Sequence, residues 1–177
     1  MSLQKTLVSR LGRIEQLAFV PKDFDGALKY WTETMGVGPF FYSNVKADAC
    51  TYMGKPSDIQ FSLAIGYWGD TQIELVQQHN DAPSIYKAWT DAGREGLHHV
   101  CVFVDDLAKA RAVCDEAGAD VVQEVKLGPA GAIYVDTGGG PGTLLEILQL
   151  GAAGRAGFDM MREAARTWNG EDPVRGR

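Results

Sequence analysis

The chain has 177 residues, 45% of them hydrophobic and 23% charged, a size and balance that suit one compact domain or two small modules sharing a core. Its net charge of −6, with no lysine or arginine cluster, speaks against nucleic acid as a partner, and no apolar run approaches the roughly 18 residues of a membrane span. Nothing in MSLQKTLVSRLG has the form of a secretory signal, so the expected compartment is the cytoplasm, where Cys50, Cys101 and Cys114, in no metal-like spacing, stay reduced.

Residues 1–11 read as a tail. IEQLAFV at 14–20 is a short apolar strand, followed by an acidic turn and an amphipathic helix through DFDGALKYWTETMG that ends at glycine. Strands follow at roughly 39–46 and 58–67, with a turn at Lys55-Pro56-Ser57, and DTQIELVQ at 70–77 completes a first βαβββ module over 12–79. SIYKAWTDAG predicts a helix in the linking segment 80–96. LHHVCVFVDDLAKARAVCDEAGA then repeats the strand, acidic turn, helix and glycine. With strands near 120–126 and 131–136, a turn at Gly128-Pro129 and the closing GTLLEILQ, it makes a second βαβββ module over 97–150. Residues 151–177 carry FDMMREAARTW, whose Phe158, Met161, Ala165 and Trp168 keep helical spacing, and a polar end. The expected fold is α+β: two tandem βαβββ modules forming a curled mixed sheet around a site, plus a C-terminal helix.

The repeat aligns without gaps, placing Gln16 on His99, Asp23 on Asp106 and Glu74 on Glu146. A polar side chain inside an apolar strand points to solvent or into a cavity that satisfies it. A single glutamate in a strand most often takes the solvated face. Four polar interruptions at symmetric places are better explained by convergence: Gln16, Glu74, His99 and Glu146 offer an amide oxygen, an imidazole and two carboxylates. That set suits Zn²⁺, Ni²⁺, Co²⁺ or Mn²⁺, with positions left for water or substrate. Strand alternation sends His98 to the face opposite His99, away from the ligands.

GLHHVCVFVDDL, TQIELVQ, the closing GTLLEIL and the paired βαβββ pattern over about residues 12–150 resemble the vicinal oxygen chelate superfamily. Its members include glyoxalase I, methylmalonyl-CoA epimerase, extradiol dioxygenases and bleomycin resistance proteins. In metal-binding members four strand positions hold the ion, and these fall on Gln16, Glu74, His99 and Glu146, the set of eukaryotic-type glyoxalase I. Extradiol dioxygenases use two histidines and one glutamate, which Gln16 does not match.

The resemblance implies a metal-dependent isomerase, epimerase or lyase that removes a proton beside a carbonyl through a metal-stabilised enolate. Glu74 and Glu146 are the candidate catalytic pair, with Glu146 slightly favoured as the base. Alternatives are a small-molecule-binding protein of the same fold or, third, an extradiol-type dioxygenase. Phe40, Tyr42, Gln60 and Tyr134 are candidate substrate-binding residues, since pockets are lined by apolar and aromatic groups with a few polar ones. The first helix has Lys29 as its only cation, a departure from the arginine that grips glutathione in glyoxalase I. The implied partners are a small-molecule substrate and a second copy in a homodimer.

Overall fold

The computed structural model describes residues 8–177, so of the expected tail, residues 1–7 lie outside the described residues. A single 3₁₀ turn, Val8–Leu11, precedes β1 (Gln16–Val20). Helix α1 (Phe24–Lys29) starts at Asp23, whose carboxylate accepts from the Gly26 N–H, and continues as a wider π-type turn over Tyr30–Thr34. The strands β2 (Phe40–Val45), β3 (Ala49–Tyr52), β4 (Lys55–Pro56), β5 (Phe61–Trp68) and β6 (Thr71–Gln78) follow. Helix α2 (Ile85–Asp91) then leads to β7 (Gly96–Val104). The second module continues through α3 (Leu107–Ala117), β8 (Asp120–Leu127), β9 (Ala130–Asp136) and β10 (Leu144–Gln149), and the chain ends with α4 (Ala152–Arg166) and β11 (Val174–Arg175).

The repeat seen in sequence has a structural cause. Asp106, the counterpart of Asp23, caps α3 by accepting from the Lys109 N–H, and Gly118 ends that helix in the left-handed conformation that glycine adopts without steric cost. Each acidic turn is therefore a helix cap.

One curled, unclosed sheet of eleven strands runs β11-β2-β5-β6-β1-β7-β10-β9-β8-β3-β4. The two modules meet at its centre, where β1 pairs antiparallel with β7, and each is flanked by a parallel neighbour, β6 on β1 and β10 on β7. On the outer face Phe24, Leu28 and Trp31 pack on Phe40, Ala64, Ile73 and Leu75, while Ala110 and Cys114 of α3 pack on Ile133, Val135 and Ile147. The inner face forms the wall of a cup, filled at one end by Ile85, Tyr86 and Trp89 of α2. Cys50, Cys101 and Cys114 are buried and unpaired, and burial raises the pKa of each thiol.

Residues 47–57 depart from expectation. In place of a simple turn at Lys55-Pro56-Ser57, β3 and β4 form a hairpin through Met53 and Gly54, both at positive φ, and β3 joins the far edge of the second module by pairing with β8. This polar stretch carries no alternation strong enough to announce strands; its partner strand β8, far along the chain, supplies the hydrogen bonds.

Candidate metal and proton-transfer site

Four central strands bring the four interrupting side chains into the cup. Ala18 lies opposite Glu74 across β1 and β6, Ala18 opposite His99 across β1 and β7, and Glu146 opposite Cys101 across β10 and β7. Alternation from these registers points Gln16, Glu74, His99 and Glu146 to the same inner face, and all four are buried. His99 Nε2 lies 3.0 Å from Glu146 Oε2 and 3.6 Å from Glu74 Oε2. One ligand atom from each of Glu74, His99 and Glu146 falls within 4.8 Å of the others.

Each carboxylate is held differently. Glu146 accepts from the Tyr134 hydroxyl at 3.1 Å, and Tyr134 in turn accepts from the Tyr86 hydroxyl at 3.1 Å. Glu74 accepts only a 3.3 Å bond from Gln16 Nε2, which also donates to Gln72 Oε1. Burial first, and then the charge of Glu146, hold the Glu74 carboxyl well above its ordinary pKa, against the pull of the Gln16 bond. Burial likewise raises the Tyr134 and Tyr86 phenols.

His98 corrects the alternation argument. Ala18 pairs with His99 but Phe19 pairs with Leu97, so the register slips and His98 is the extra residue of a β-bulge. The bulge turns both imidazoles inward: His98 Nδ1 lies 2.8 Å from His99 Nδ1, and His98 Nε2 lies 3.3 Å from the Ile85 carbonyl. A carbonyl only accepts, so His98 Nε2 carries the hydrogen. Burial lowers the pKa of His98 to about 3, leaving a neutral ring that offers Nδ1 as an acceptor. His99 therefore donates from Nδ1 and presents its Nε2 lone pair to the carboxylates.

These residues fit a divalent cation. The Nε2 lone pair faces two carboxylates, and the Gln16 Oε1 acceptor is buried with no hydrogen-bond partner among the described residues. Lone pairs that converge beyond the donors from Tyr134 and Gln16 are satisfied by a positive ion, and adjacent ligands of one first-row ion stand about 3 Å apart, as His99 Nε2 and Glu146 Oε2 do.

Of the candidate substrate residues, Tyr134 belongs to the cluster. The others do not meet it. Ile65 faces Glu74 across β5 and β6, and Phe41 faces Ile65 across β2 and β5, so Phe40 and Tyr42 take the opposite, outer face. There Phe40 packs in the α1 layer, and the Tyr42 hydroxyl bonds Ser62. Gln60 is exposed and lies outside the strands. Two cluster members escaped the sequence reading: Gln72, signalled by its place two residues before Glu74, and Tyr86, which α2 delivers from the linking segment. A surface cavity of about 380 Å³ lined by Trp89, Arg94 and Leu144 ends at His98, one side chain short of His99.

The model of the glyoxalase/bleomycin resistance protein/dioxygenase superfamily matches residues 15–135. The chain belongs to this superfamily. No curated protein matches it. A Streptomyces coelicolor methylmalonyl-CoA epimerase variant in complex with 2-nitronate-propionyl-CoA is 17% identical with a TM-score of 0.58, over 80% of this chain and 96% of that one. A Mycobacterium tuberculosis methylmalonyl-CoA epimerase is 15% identical with a TM-score of 0.57, over 81% and 91%. A hypothetical protein from Bacillus halodurans is 14% identical with a TM-score of 0.56, over 78% and 94%. At these identities the likeness is one of fold. No helix among the described residues is long and apolar enough to cross a membrane.

Proposed function

We propose that the protein is an isomerase or epimerase, or a lyase using the same first step, that removes a proton from carbon next to a carbonyl. Gln16, Glu74, His99 and Glu146 would hold the divalent ion, whose identity among Zn, Ni, Co and Mn the donor set does not select. The observation that carries this reading is the convergence of two buried carboxylates with an imidazole and an amide from both modules.

When bound, the ion supplies a Lewis acid for the carbonyl oxygen as negative charge develops there. The residues do the rest. Glu146 is anchored by the Tyr134 hydroxyl and keeps its orientation, whereas Glu74, held by one long bond from Gln16, is the freer carboxylate and the better placed to take the proton. Its burial beside a second carboxylate sets it apart from an ordinary surface carboxylate. Glu146, on the other side of the pseudo-twofold, is placed to return a proton, with Tyr134 donating to its Oε1. This divides the pair differently from the sequence preference for Glu146 as base, because the hydrogen bonds are unequal. A proton-transfer role is further supported by the epimerase structures that share this fold.

The binding-protein alternative is separated from the enzymatic reading by turnover. A dioxygenase set of two histidines and one glutamate is not assembled, since His98 is turned to His99 and Ile85. Elemental analysis should find about one divalent ion per chain. The loaded protein, mixed with acyl-CoA thioesters and 2-oxo compounds in deuterated water, should exchange the proton beside the carbonyl. Bound metal without exchange across such a panel would overturn the reading.

A further inference from the structure

The cup interior carries two carboxylates, and among the described residues no lysine or arginine is buried. With the proposed divalent ion bound those two charges are balanced, so a further grip on an anionic substrate needs a second cation at the wall. Helix α4, which lies beyond the residues matched by the family model, brings one. It leaves the end of β10 in the second module and ends near the first, where Trp168 covers Gly38 and β11 pairs with β2. On the way Phe158 packs on Phe103 with centroids 5.6 Å apart, and the Arg162 guanidinium sits 5.2 Å over the Tyr67 ring. Tyr67 lies opposite Gln72, on the same face of the sheet as Ile65 and Glu74. Its hydroxyl accepts from Gln72 Nε2 at 2.8 Å, and Gln72 accepts from Gln16. A continuous run of side chains thus joins Arg162 to the cluster.

The guanidinium is under-used where it stands. Its ion pair is with Asp159, one turn back on the same helix at 3.2 Å and largely exposed, an arrangement worth little. The guanidinium also reaches the Tyr67 hydroxyl, but its Nε–H is buried and has no hydrogen-bond partner among the described residues. A buried donor left unpaired costs about 1–3 kcal/mol, so an incoming acceptor would be favoured at this position. The planar fork of arginine matches a carboxylate with two parallel hydrogen bonds. Burial raises the Tyr67 phenol, and the nearby guanidinium opposes the rise, consistent with a positive potential at this end of the cup.

We propose that Arg162 binds a carboxylate of the substrate at the Tyr67–Gln72 end of the cup, so that the centre accepts carbonyl compounds that also carry a carboxylate. The assignment of that carboxylate to a reacting substrate rests on the proton-transfer reading above; the binding event itself does not.

Two probes that differ in one carboxylate test it: monoethyl malonate and diethyl malonate, titrated calorimetrically into the zinc-loaded full chain and into Arg162→Gln and Arg162→Lys. The wild type should bind the half ester at least tenfold more tightly than the diester. Arg162→Gln should lose at least tenfold in affinity for the half ester with diester binding, zinc content and melting temperature unchanged, and Arg162→Lys should recover part of the loss. Equal binding of the two probes by the wild type, binding of neither, or undiminished half-ester binding by Arg162→Gln would overturn the proposal. Exchange of the half ester's central protons into deuterated water, followed in the same samples, separates the two readings. Arginine-dependent binding without exchange sinks proton transfer and keeps the carboxylate grip; exchange with arginine-independent binding does the reverse.

Discussion

His98 and His99 are neighbours on one strand, yet their Nδ1 atoms lie 2.8 Å apart inside the cup. The bulge that makes this possible ties a buried backbone carbonyl to the candidate metal ligand: Ile85 fixes the hydrogen on His98, and His98 fixes the hydrogen on His99. Partners that orient a ligating histidine in this way are typically worth about 10–100-fold in metal affinity. His98→Phe keeps an aromatic ring against Tyr86 and Trp89 but removes the acceptor. The expected outcome is a drop of that size in zinc affinity by competition with a chelator dye, with nitrogen NMR of the metal-free variant showing His99 Nδ1 no longer uniformly protonated. Unchanged affinity would show that the His98 bond does not orient the ligand.

The same residue predicts acid sensitivity. Burial, reinforced by the nearby His99, lowers the His98 pKa from 6.5 to about 3. Between those values the unfolded chain binds a proton at this site that the folded chain does not, so stability is fully present above pH 6.5 and falls as the pH drops toward 3. A shift of this kind amounts to a few kcal/mol across the window, at about 1.4 kcal/mol per unit. Because the raised Glu74 carboxyl acts with the opposite sign, the His98 share is read as a difference: the stability of the metal-free wild type relative to His98→Phe, from urea unfolding, should fall from pH 6.5 to 4. Parallel curves would show that another group sets the acid limit.

Gln16, Glu74, His99 and Glu146 were legible because the repeat supplied an internal alignment: each module independently marks the same strand positions with a polar residue. The bulge was not, because alternation assumes one residue per partner and the slip between Ala18 and Phe19 depends on how β1 and β7 meet. Phe40 and Tyr42 misled for a related reason. Aromatic residues on a strand announce burial but not which face is buried, and that is decided by the pairing of Phe41 with Ile65 and of Ile65 with Glu74. Long-range pairings such as β3 on β8 leave no mark in local sequence at all.

The unequal anchoring of the carboxylates separates their variants. Glu74→Gln removes the freer carboxylate and should abolish proton exchange, a loss of at least a thousandfold, while weakening zinc binding less than Glu146→Gln does. Tyr134→Phe removes the donor to Glu146 Oε1 while keeping the ring that packs edge-on to His99. It should retain metal and lower exchange by about 10–100-fold, less than the roughly 10²–10⁴-fold that a group transferring the proton itself typically contributes. Elemental analysis beside deuterium incorporation reads both effects, and Glu74→Gln with full exchange and full metal would remove Glu74 from the chemistry.

Phe40 provides the last test, of face rather than of chemistry. Its ring is fully buried against Gly66, where an added Cβ would come within 3.1 Å of three ring atoms. Phe40→Ala should cost about 3–5 kcal/mol in denaturant unfolding, the range for deleting a buried phenylalanine. Gly66→Ala should cost about 1–3 kcal/mol by overpacking the same spot. Because one change empties the space that the other fills, the double variant should lose less than the sum of the two, a coupling that residues in contact show and distant ones do not. Zinc affinity of the folded protein should stay within twofold throughout. Loss of metal or probe binding in Phe40→Ala with stability intact would instead place this ring on the cup side of the sheet.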